Sequence, residues 1–363
     1  MKRLLGIALL GSFVLGACGS GTSGSPSGGA AGSGVPLVGI AMPSRSSSRW
    51  IAAGDNLVKS LTAAGYKTDL EFAGDDIPTQ IAQIQTMITK GSKVLIIAAI
   101  DGTTLTDTLQ KAADAKIKVL AFDRLIDKSA NVDYYVTFDN FKAGVLQAGS
   151  IETCLALKSV KGPFNIELAA GSPDDDNADV LFDGAMSILQ PYIDSGTLVV
   201  KSGQNKFPDQ VGTLRWDDAA AETRFDNLLV SNYASSRLDA VLSPSDRISR
   251  GVTASLKAVG YYSTSRPAPC VTGKDAELAS VKSILAGEQT ATVITDPRKL
   301  ADQAAKMTVQ MLKGTTVDVN DTKTYNNQVK VVPAFLLDVV SVTKDSVQTE
   351  LINPGYYTAD QLN

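Results

Sequence analysis

The sequence has no histidine among its 363 residues. Histidine is the commonest general base and the commonest metal ligand in proteins. Its absence excludes Ser-His-Asp and Cys-His catalysis, and it excludes zinc sites that depend on histidine. Catalysis by a pair of carboxylates stays open. We predict no catalytic residue, no metal site and no cofactor.

The charge balance argues against a further class of partner. The chain has 34 basic and 38 acidic residues, and the basic residues form no run. Proteins that bind phosphate backbones concentrate Lys and Arg on one face or in one stretch. We therefore expect no nucleic acid partner.

The first 36 residues carry an export signal and a spacer. A basic head at 1–3 is followed by the uncharged stretch 4–17 and then by Cys18. Fourteen uncharged residues are too few for a membrane span, which needs about 20. We predict a lipoprotein signal peptide over 1–17 and an extracytoplasmic chain anchored to the cell membrane through lipid on Cys18. The Gly- and Ser-rich segment 18–36 is predicted to be a flexible linker.

Two further cysteines lie in the part of the chain that is expected to fold, Cys154 and Cys270. In an oxidising compartment, an even number of cysteines is typical of disulfide pairing. The alternative is two buried free thiols. Both residues are predicted at the far end of their lobe from the strand ends, which favours the disulfide.

Beyond residue 36, short apolar runs alternate with longer stretches of helical spacing. Such runs, separated by helices, are typical of parallel sheets covered on both faces. The first series predicts strands over 37–42, 67–72, 94–99, 119–122 and 132–138. The second predicts strands over 164–169, 198–201, 240–242, 270–272 and 291–295. We predict an α/β fold of two doubly wound parallel-sheet lobes, with the apolar run 329–340 completing the two sheets.

Several polar residues lie where ligands of open parallel sheets bind, outside the carboxyl ends of the strands. They are Asp123, Arg124, Asp246 and Asp275, together with Arg49 and Trp50 at the start of the first long helix. Carboxylates, guanidinium groups and an aromatic ring suit a polyol, whose hydroxyl groups donate and accept and whose ring has C–H faces. A lone Asp after a strand more often caps a helix. Only the whole set indicates a binding site.

Long strings of this sequence resemble one branch of the type I periplasmic binding proteins. They include VGIAMPSRSSSRWI, AGDDIPTQIAQI, TFDNFKAGVLQA, GSPDDDNA, DGAMSILQPYIDSG and VKVVPAFLL. The branch is the multiple-monosaccharide (ChvE-type) group, which serves carbohydrate ABC transporters, and the resemblance covers nearly the whole mature chain.

The resemblance implies two lobes joined by a three-crossing hinge that close on an aldose in its pyranose form. The N-terminal lobe is expected over 37–138 plus 296–332, and the C-terminal lobe over 139–295 plus 333–363. The expected partners are the monosaccharide and an ABC transporter permease, and the protein is expected to be a monomer. The implied ligand-binding residues are Arg49, Trp50, Asp123, Arg124, Glu167, Asn177, Arg215, Asn227, Asp246 and Asp275.

Physical roles follow for these residues. Trp50 is expected to stack on a C–H face of the sugar, and Arg124 and Arg215 to donate to its oxygens. Glu167 lies inside a predicted strand, where an unpaired carboxylate is costly. Two roles fit Trp216 equally well, a second aromatic ring that stacks on the sugar and a side chain that packs in the core.

Three residues depart from the pattern of the family. Lys274 stands where the family usually has Gln, and Ser245 and Arg247 replace a tyrosine and a small residue. Strand alternation favours a Lys274 side chain that turns away from the cleft and pairs with a surface acid. The alternative orientation would place an ammonium beside the sugar and favour sugar acids.

Two other functions fit parts of the sequence. An extracellular glycosidase needs two suitably spaced carboxylates, and turnover of sugar glycosides would reveal it. A sensory receptor would report the bound sugar to a membrane partner, and nothing in the sequence separates it from a transport protein. A repressor of the same fold would need a DNA-binding head, where this chain has its signal and linker.

Overall fold

The computed structural model describes residues 34–362. The predicted signal peptide, Cys18 and the linker as far as residue 33 lie outside the described residues. Residues 34–36 have no regular secondary structure. Within the described part, none of the helices combines the length and the apolar character needed to cross a membrane.

Strands and helices alternate along the described chain. The strands are β1 (Leu37–Met42), β2 (Lys67–Phe72), β3 (Val94–Ile97), β4 (Lys118–Phe122), β5 (Tyr134–Phe138), β6 (Phe164–Leu168), β7 (Leu198–Val199), β8 (Ala240–Leu242), β9 (Cys270–Val271), β10 (Ala291–Ile294), β11 (Ala334–Leu337) and β12 (Val340–Thr343). The helices are α1 (Ser48–Ala63), α2 (Ile77–Thr89), α3 (Thr106–Asp114), α4 (Asn140–Cys154), α5 (Asp176–Asp194), α6 (Asp218–Asn232), α7 (Asp246–Ala258), α8 (Leu278–Ala286), α9 (Pro297–Lys313) and α10 (Ala359–Leu362). A 3₁₀ turn at Leu214–Trp216 and a π turn at Gln348–Ile352 complete the set.

The N-terminal lobe is built on a six-stranded sheet in the order β11-β5-β4-β3-β1-β2. All of its pairs are parallel. Helices α1 and α9 pack on one face of this sheet and α2 and α3 on the other. The residues of β3 read Val-Leu-Ile-Ile and are all buried, because a central parallel strand faces a helix layer on both sides.

The C-terminal lobe is built on a shorter parallel sheet in the order β7-β6-β8-β9. Helices α4 and α5 cover one face, and α6 and α7 cover the other. Strand β10 lies beside the end of β9, where the Val293 amide donates to the Gly273 carbonyl at 3.1 Å. Strand β12 then pairs with β10 in antiparallel orientation. The prediction of an α/β fold with two parallel sheets is confirmed.

The chain crosses between the lobes three times. It leaves the first sheet between β5 and α4, returns between β10 and α9, and crosses again between β11 and β12. The lobe boundary predicted at residue 333 is wrong, because β11 pairs in parallel with β5 of the N-terminal lobe. The last crossing therefore lies between Leu337 and Val340.

A disulfide joins Cys154 to Cys270, the pair for which the sequence predicts one, with a Cα–Cα distance of 6.2 Å. Cys154 is the last residue of α4 and Cys270 is the first residue of β9. The bond therefore ties a helix end to a strand start on the side of the lobe away from the carboxyl ends of its strands.

Candidate binding site

A cleft with about 620 Å³ of empty volume lies between the carboxyl ends of the two sheets. This position is where open parallel sheets bind ligands. The lining residues of the N-terminal lobe are Ser44, Ser46, Ser47, Arg49, Trp50, Asp75, Asp123 and Arg124. Those of the C-terminal lobe are Asp175, Asn177, Arg215, Trp216, Ser245, Arg247, Lys274, Asp275 and Glu277.

The N-terminal wall is built around a forked ion pair between Arg49 and Asp123. Arg49 lies in the first turn of α1, and Asp123 directly follows β4. The guanidinium of Arg49 donates to both carboxylate oxygens of Asp123, at 2.7 and 3.3 Å. Arg124, the next residue, donates to the carbonyls of Ala99 and Ile100 at 3.1 and 3.2 Å. These bonds fix both guanidinium planes against the end of the sheet.

Trp50 lies against these two arginines. The Cζ atom of Arg49 is 4.6 Å from the ring centroid, and that of Arg124 is 5.3 Å from it. Trp50 is 6% exposed and also packs in the core of the N-terminal lobe. The core therefore holds the ring in place while its remaining surface faces the cleft.

The first part of the C-terminal wall is the turn at Leu214–Trp216. Arg215 and Trp216 have left-handed backbone angles, with φ of 59° and 54°. Arg215 pairs with Asp174 at 3.0 Å, and the Trp216 indole donates to Asp175 at 3.1 Å. A Cβ at Gly171 would lie 2.2 Å from the Trp216 ring, so only glycine fits there. Strained backbone of this kind persists where its surroundings fix it, as it does at many functional sites.

The second part of the C-terminal wall is the turn from Lys274 to Glu277. Asp275 has a left-handed φ of 97° and accepts a hydrogen bond of 2.6 Å from Thr295. The expectation that Lys274 turns away from the cleft is wrong. Its side chain is 9% exposed, lines the cleft, and has its Nζ 3.3 Å from Asp275. Lys274 still forms a parallel bridge with Val293 of β10, but the left-handed φ of Asp275 breaks the strand's alternation directly after it.

Contacts across the cleft join the two walls. Arg124 Nε lies 3.1 Å from Asp175, and Arg49 Nε lies 3.6 Å from Asp275. Asn177 donates to the carbonyl of Asp123 at 2.7 Å. The lobes are therefore in a closed arrangement, in which charged groups of one lobe neutralise those of the other.

The charges that line the cleft balance. Five side chains are basic and five are acidic. Burial by itself would raise the pKa of Asp275, but Lys274 and Arg49 outweigh it and hold that pKa at about 2. Burial likewise opposes ionisation of Asp123, yet Arg49 keeps its pKa below the usual range. A cleft of fixed charges that sum to zero suits a neutral ligand with many polar groups.

The comparisons with known proteins agree with this geometry. Residues 38–316 match the family model described as a periplasmic binding protein domain. The chain belongs to the periplasmic binding protein family. Membership makes it an extracytoplasmic binding protein and not an enzyme.

Two relatives of this binding protein are named as multiple sugar-binding proteins. The chain is 60% identical over 325 residues to the multiple sugar-binding periplasmic receptor ChvE of Rhizobium radiobacter, with 90% of this chain and 92% of that one covered. It is 61% identical over 326 residues to the multiple sugar-binding periplasmic protein SbpA of Azospirillum brasilense, with 90% and 91% covered. An ABC transporter solute-binding protein from Clostridium phytofermentans, solved with bound β-D-glucose, superimposes with a TM-score of 0.86 at 43% identity, covering 90% of this chain and 100% of that one.

Three of the residues predicted to bind ligand lie outside the cleft of this binding protein. Glu167 is fully buried, and its oxygens accept hydrogen bonds from Ser202 and Tyr233 at 2.6 Å each. Its side chain points from β6 toward Tyr233, the residue that directly follows α6. Asn227 is exposed on α6 and donates to a carbonyl of its own helix.

Asp246 is the third predicted residue that the cleft does not contain. It is fully buried, and its carboxyl group accepts from the Glu277 amide at 2.8 Å and from Gln289 at 2.9 Å. Its neighbour Ser245 lines the cleft and caps α7 by accepting from the Ile248 amide. Of these two adjacent residues after β8, Ser245 and not Asp246 faces the cleft.

The cleft also contains residues that were not predicted from the sequence. Asp175 bridges Arg124 and Trp216, and it lies in the acidic run PDDDN that follows β6. Ser44, Ser46 and Ser47 follow β1 directly. Both stretches lie after the carboxyl ends of strands, where ligands of open parallel sheets bind, so this rule also predicts them. Within residues 34–362, no cluster of His, Cys, Asp and Glu is arranged to hold a metal ion.

Proposed function

We propose that this chain captures a monosaccharide, an aldose in its pyranose form, between its two lobes and delivers it to the permease of an ABC transporter. The observation that carries the proposal is the charge-balanced cleft, in which Arg49 faces carboxylates of both lobes beside the Trp50 ring. The sugar-binding names of the relatives and the glucose bound to the related structure support it.

The chemistry of the cleft matches that of a sugar. Each sugar hydroxyl can donate to a carboxylate and accept from a guanidinium at the same time. Within residues 34–362, Arg49 Nε is buried and has no acceptor at hydrogen-bond distance, because Asp275 lies 3.6 Å away, so it can donate to a ligand oxygen. Such charged hydrogen bonds are stronger than neutral ones. The seven residues that we propose to contact the sugar are Arg49, Trp50, Asp123, Arg124, Asn177, Arg215 and Asp275.

Binding can be tested by the thermal unfolding of the purified chain against a panel of free monosaccharides. A ligand that binds only the folded state raises the unfolding temperature, by an amount that grows with its concentration. We expect neutral aldoses such as D-glucose to raise it and their open-chain alditols to raise it less. A panel in which no sugar shifts unfolding contradicts the proposal.

A sensory role is the second candidate, because one relative is named a receptor. The same cleft would serve both roles. In cells that lack this chain, loss of sugar uptake supports delivery to a permease. Unchanged uptake together with a lost response to the sugar supports sensing.

We further propose that Cys18 is lipidated and that residues 18–36 tether a monomeric binding domain to the membrane. The proposal is supported by the basic head, the short apolar stretch and the Leu15-Gly16-Ala17-Cys18 string. Cys18→Ser is expected to release the protein from the membrane fraction. A variant that stays in the membrane fraction contradicts the anchor.

A further inference from the structure

A cluster of buried polar groups joins the two lobes beside the cleft. This interlobe cluster consists of the Asp123 carbonyl and the side chains of Tyr135, Thr137, Asn140 and Asn177. Tyr135 and Thr137 lie on β5 of the N-terminal lobe, and Asn177 lies in the first turn of α5 in the C-terminal lobe. Asn140 begins α4, directly after the first crossing between the lobes. All five residues are buried, so their polar groups need hydrogen-bond partners within the chain.

The Asp123 carbonyl points into the interlobe cluster because the backbone turns sharply at this residue. The Arg124 amide donates to the Phe122 carbonyl at 2.7 Å, and the φ of Asp123 is 63°. These are features of the classic γ-turn, a rare and strained conformation that persists where its surroundings fix it. The Asp123 carbonyl accepts from Thr137 Oγ1 at 2.8 Å and from Asn177 Nδ2 at 2.7 Å. The turn that places Asp123 in the cleft wall is therefore held in part by a donor from the opposite lobe.

The Tyr135 hydroxyl has two acceptors within reach but only one proton. Its oxygen lies 2.9 Å from the Asp123 carbonyl oxygen and 3.0 Å from Asn177 Oδ1. The carbonyl already has a donor for each of its two lone pairs, Thr137 and Asn177. Asn177 Oδ1 has one other donor, Asn140 Nδ2 at 2.8 Å. Each lone pair therefore has one donor when Tyr135 donates to Asn177, across the boundary between the lobes.

Opening of the cleft removes Asn177 from this arrangement, because Asn177 belongs to the C-terminal lobe. The Asp123 carbonyl then loses one donor, and the Tyr135 hydroxyl loses its acceptor. Tyr135 can turn its proton to the Asp123 carbonyl without a movement of its ring, which packs edge-to-face on Tyr325 with centroids 5.1 Å apart. The same hydroxyl therefore stabilises the closed state by a bond between the lobes and supports the Asp123 turn in the open state.

We propose that Tyr135 is a positioning residue that holds the closed lobes together through Asn177 and so slows the release of the sugar, without touching the sugar itself. Tyr135 does not line the cleft, whereas Asp123 and Asn177, the two residues that its hydroxyl contacts, both do. The inference rests on the proposed capture of a sugar by closure of the cleft.

Tyr135→Phe tests the inference because it removes only the hydroxyl group and keeps the ring. The closed state then lacks one buried hydrogen bond, and Asn177 Oδ1 has a single donor. In the open state, water can supply the missing donor to Asp123. We expect the affinity for D-glucose to fall about tenfold. Because the sugar leaves from the open state, the loss should appear as faster dissociation, with an association rate within about twofold of the wild type.

Tyr233→Phe is the matched control for this variant. Tyr233 is also fully buried, and its hydroxyl donates to the Glu167 carboxylate at 2.6 Å. Both groups belong to the C-terminal lobe, so closure leaves their bond unchanged. This variant should be less stable than the wild type and keep its affinity and dissociation rate. The two tryptophans of the chain, Trp50 and Trp216, both line the cleft, so stopped-flow fluorescence measures the rates.

A double-mutant cycle tests whether the Tyr135 hydroxyl acts through Asn177. Asn177→Ala removes the acceptor, so Tyr135→Phe should weaken glucose binding by less than about twofold in that background. In the wild-type background the expected loss is about tenfold. Independent effects of the two substitutions overturn the inference. So does a Tyr135→Phe variant whose affinity and dissociation rate match those of Tyr233→Phe.

Failure of the proposed function is distinguishable from failure of this interlobe bond. The same cycle is measured on the free energy of unfolding of the ligand-free chain, whose closed arrangement contains the contact between Tyr135 and Asn177. Coupling between the two substitutions in a chain that binds no sugar contradicts the capture of a sugar and supports the bond. Glucose binding with independent effects in both measurements contradicts the bond alone.

Discussion

The two walls of the cleft differ in how the backbone supports them. On the N-terminal wall, Arg49 lies within α1, and Asp123 and Arg124 follow β4 without a gap, although the φ of 63° at Asp123 is left-handed. On the C-terminal wall, Arg215 lies in the long connection between β7 and α6. Asp275 lies beyond the last residue of β9, in a turn held by side-chain bonds such as that from Thr295.

Because of this difference, we expect the two walls to contribute differently to binding. Side chains fixed by regular elements keep one geometry with or without a ligand, which lowers the ordering cost of binding. Side chains on irregular turns can change with small changes of sequence. We infer that the N-terminal wall supplies most of the affinity for the sugar and that the C-terminal wall adjusts which sugar binds.

The largest effect is expected from Arg49→Ala. The substitution removes the guanidinium shared by Asp123 and Asp275 and leaves both buried carboxylates short of a counter-charge. Truncating one partner of a buried charged pair costs about 2–5 kcal/mol, so calorimetry should show glucose affinity lowered by about thirtyfold or more.

Arg45→Ala is the control for this change. Arg45 lies on the same segment but stacks on Phe72 instead of lining the cleft. Its variant should keep the wild-type affinity. Equal losses in the two variants would mean that the N-terminal wall does not act through the Arg49 ion pairs.

The next effect concerns the stability of the C-terminal lobe and not the binding of the sugar. Cys154→Ser combined with Cys270→Ser opens a loop that the native disulfide closes over 116 residues. We expect the free energy of unfolding to fall by about 2–4 kcal/mol in urea titrations. Glucose affinity should stay within twofold of the wild type, because the disulfide lies at the far end of the lobe. Unchanged stability would contradict the role of this bond.

A smaller effect is expected from Trp50→Ala. The loss of aromatic contact with the sugar should cost about 1–3 kcal/mol of binding free energy. Trp50→Phe keeps a ring at this position and should recover part of the loss. Because Trp50 also packs in the core, affinity is measured at a temperature where both variants are folded. Equal affinities of the Ala and Phe variants would argue against stacking.

The smallest effect is expected from Lys274→Gln on the opposite wall. Asp275 keeps its contacts with Thr295 and Arg49, so the affinity for glucose should change by less than about 1 kcal/mol. The affinity for glucuronic acid should fall further, and more at low than at high salt, because the cleft loses one positive charge. A large loss for the neutral sugar would show that Lys274 binds it directly.

The sequence predicts the fold better than it predicts the boundary between the two lobes. Buried parallel strands are unbroken apolar runs, and this pattern is strong enough to locate both sheets. It does not say which strands pair. Strands β11 and β12 are separated by two residues, yet they join different lobes. Pairing between distant segments decides this, and a local pattern does not contain it.

The site was predicted unevenly for a related physical reason. The four predicted residues of the N-terminal wall all line the cleft, because they directly follow or begin regular elements. On the C-terminal wall, Ser245 and not Asp246 faces the cleft, and Lys274 turns inward. Backbone angles in caps and turns set these directions, and residue spacing does not reveal them.

Closure of the cleft on a sugar is the central claim, and small-angle X-ray scattering tests it most directly. Scattering is recorded for the wild type and for Arg49→Ala, each without D-glucose and with D-glucose at a concentration that saturates only the wild type. We expect the radius of gyration of the wild type to fall when glucose is added, and that of the variant to stay constant at a glucose concentration too low to saturate it. Wild-type curves that superimpose with and without glucose, while calorimetry shows the sugar bound, would contradict closure.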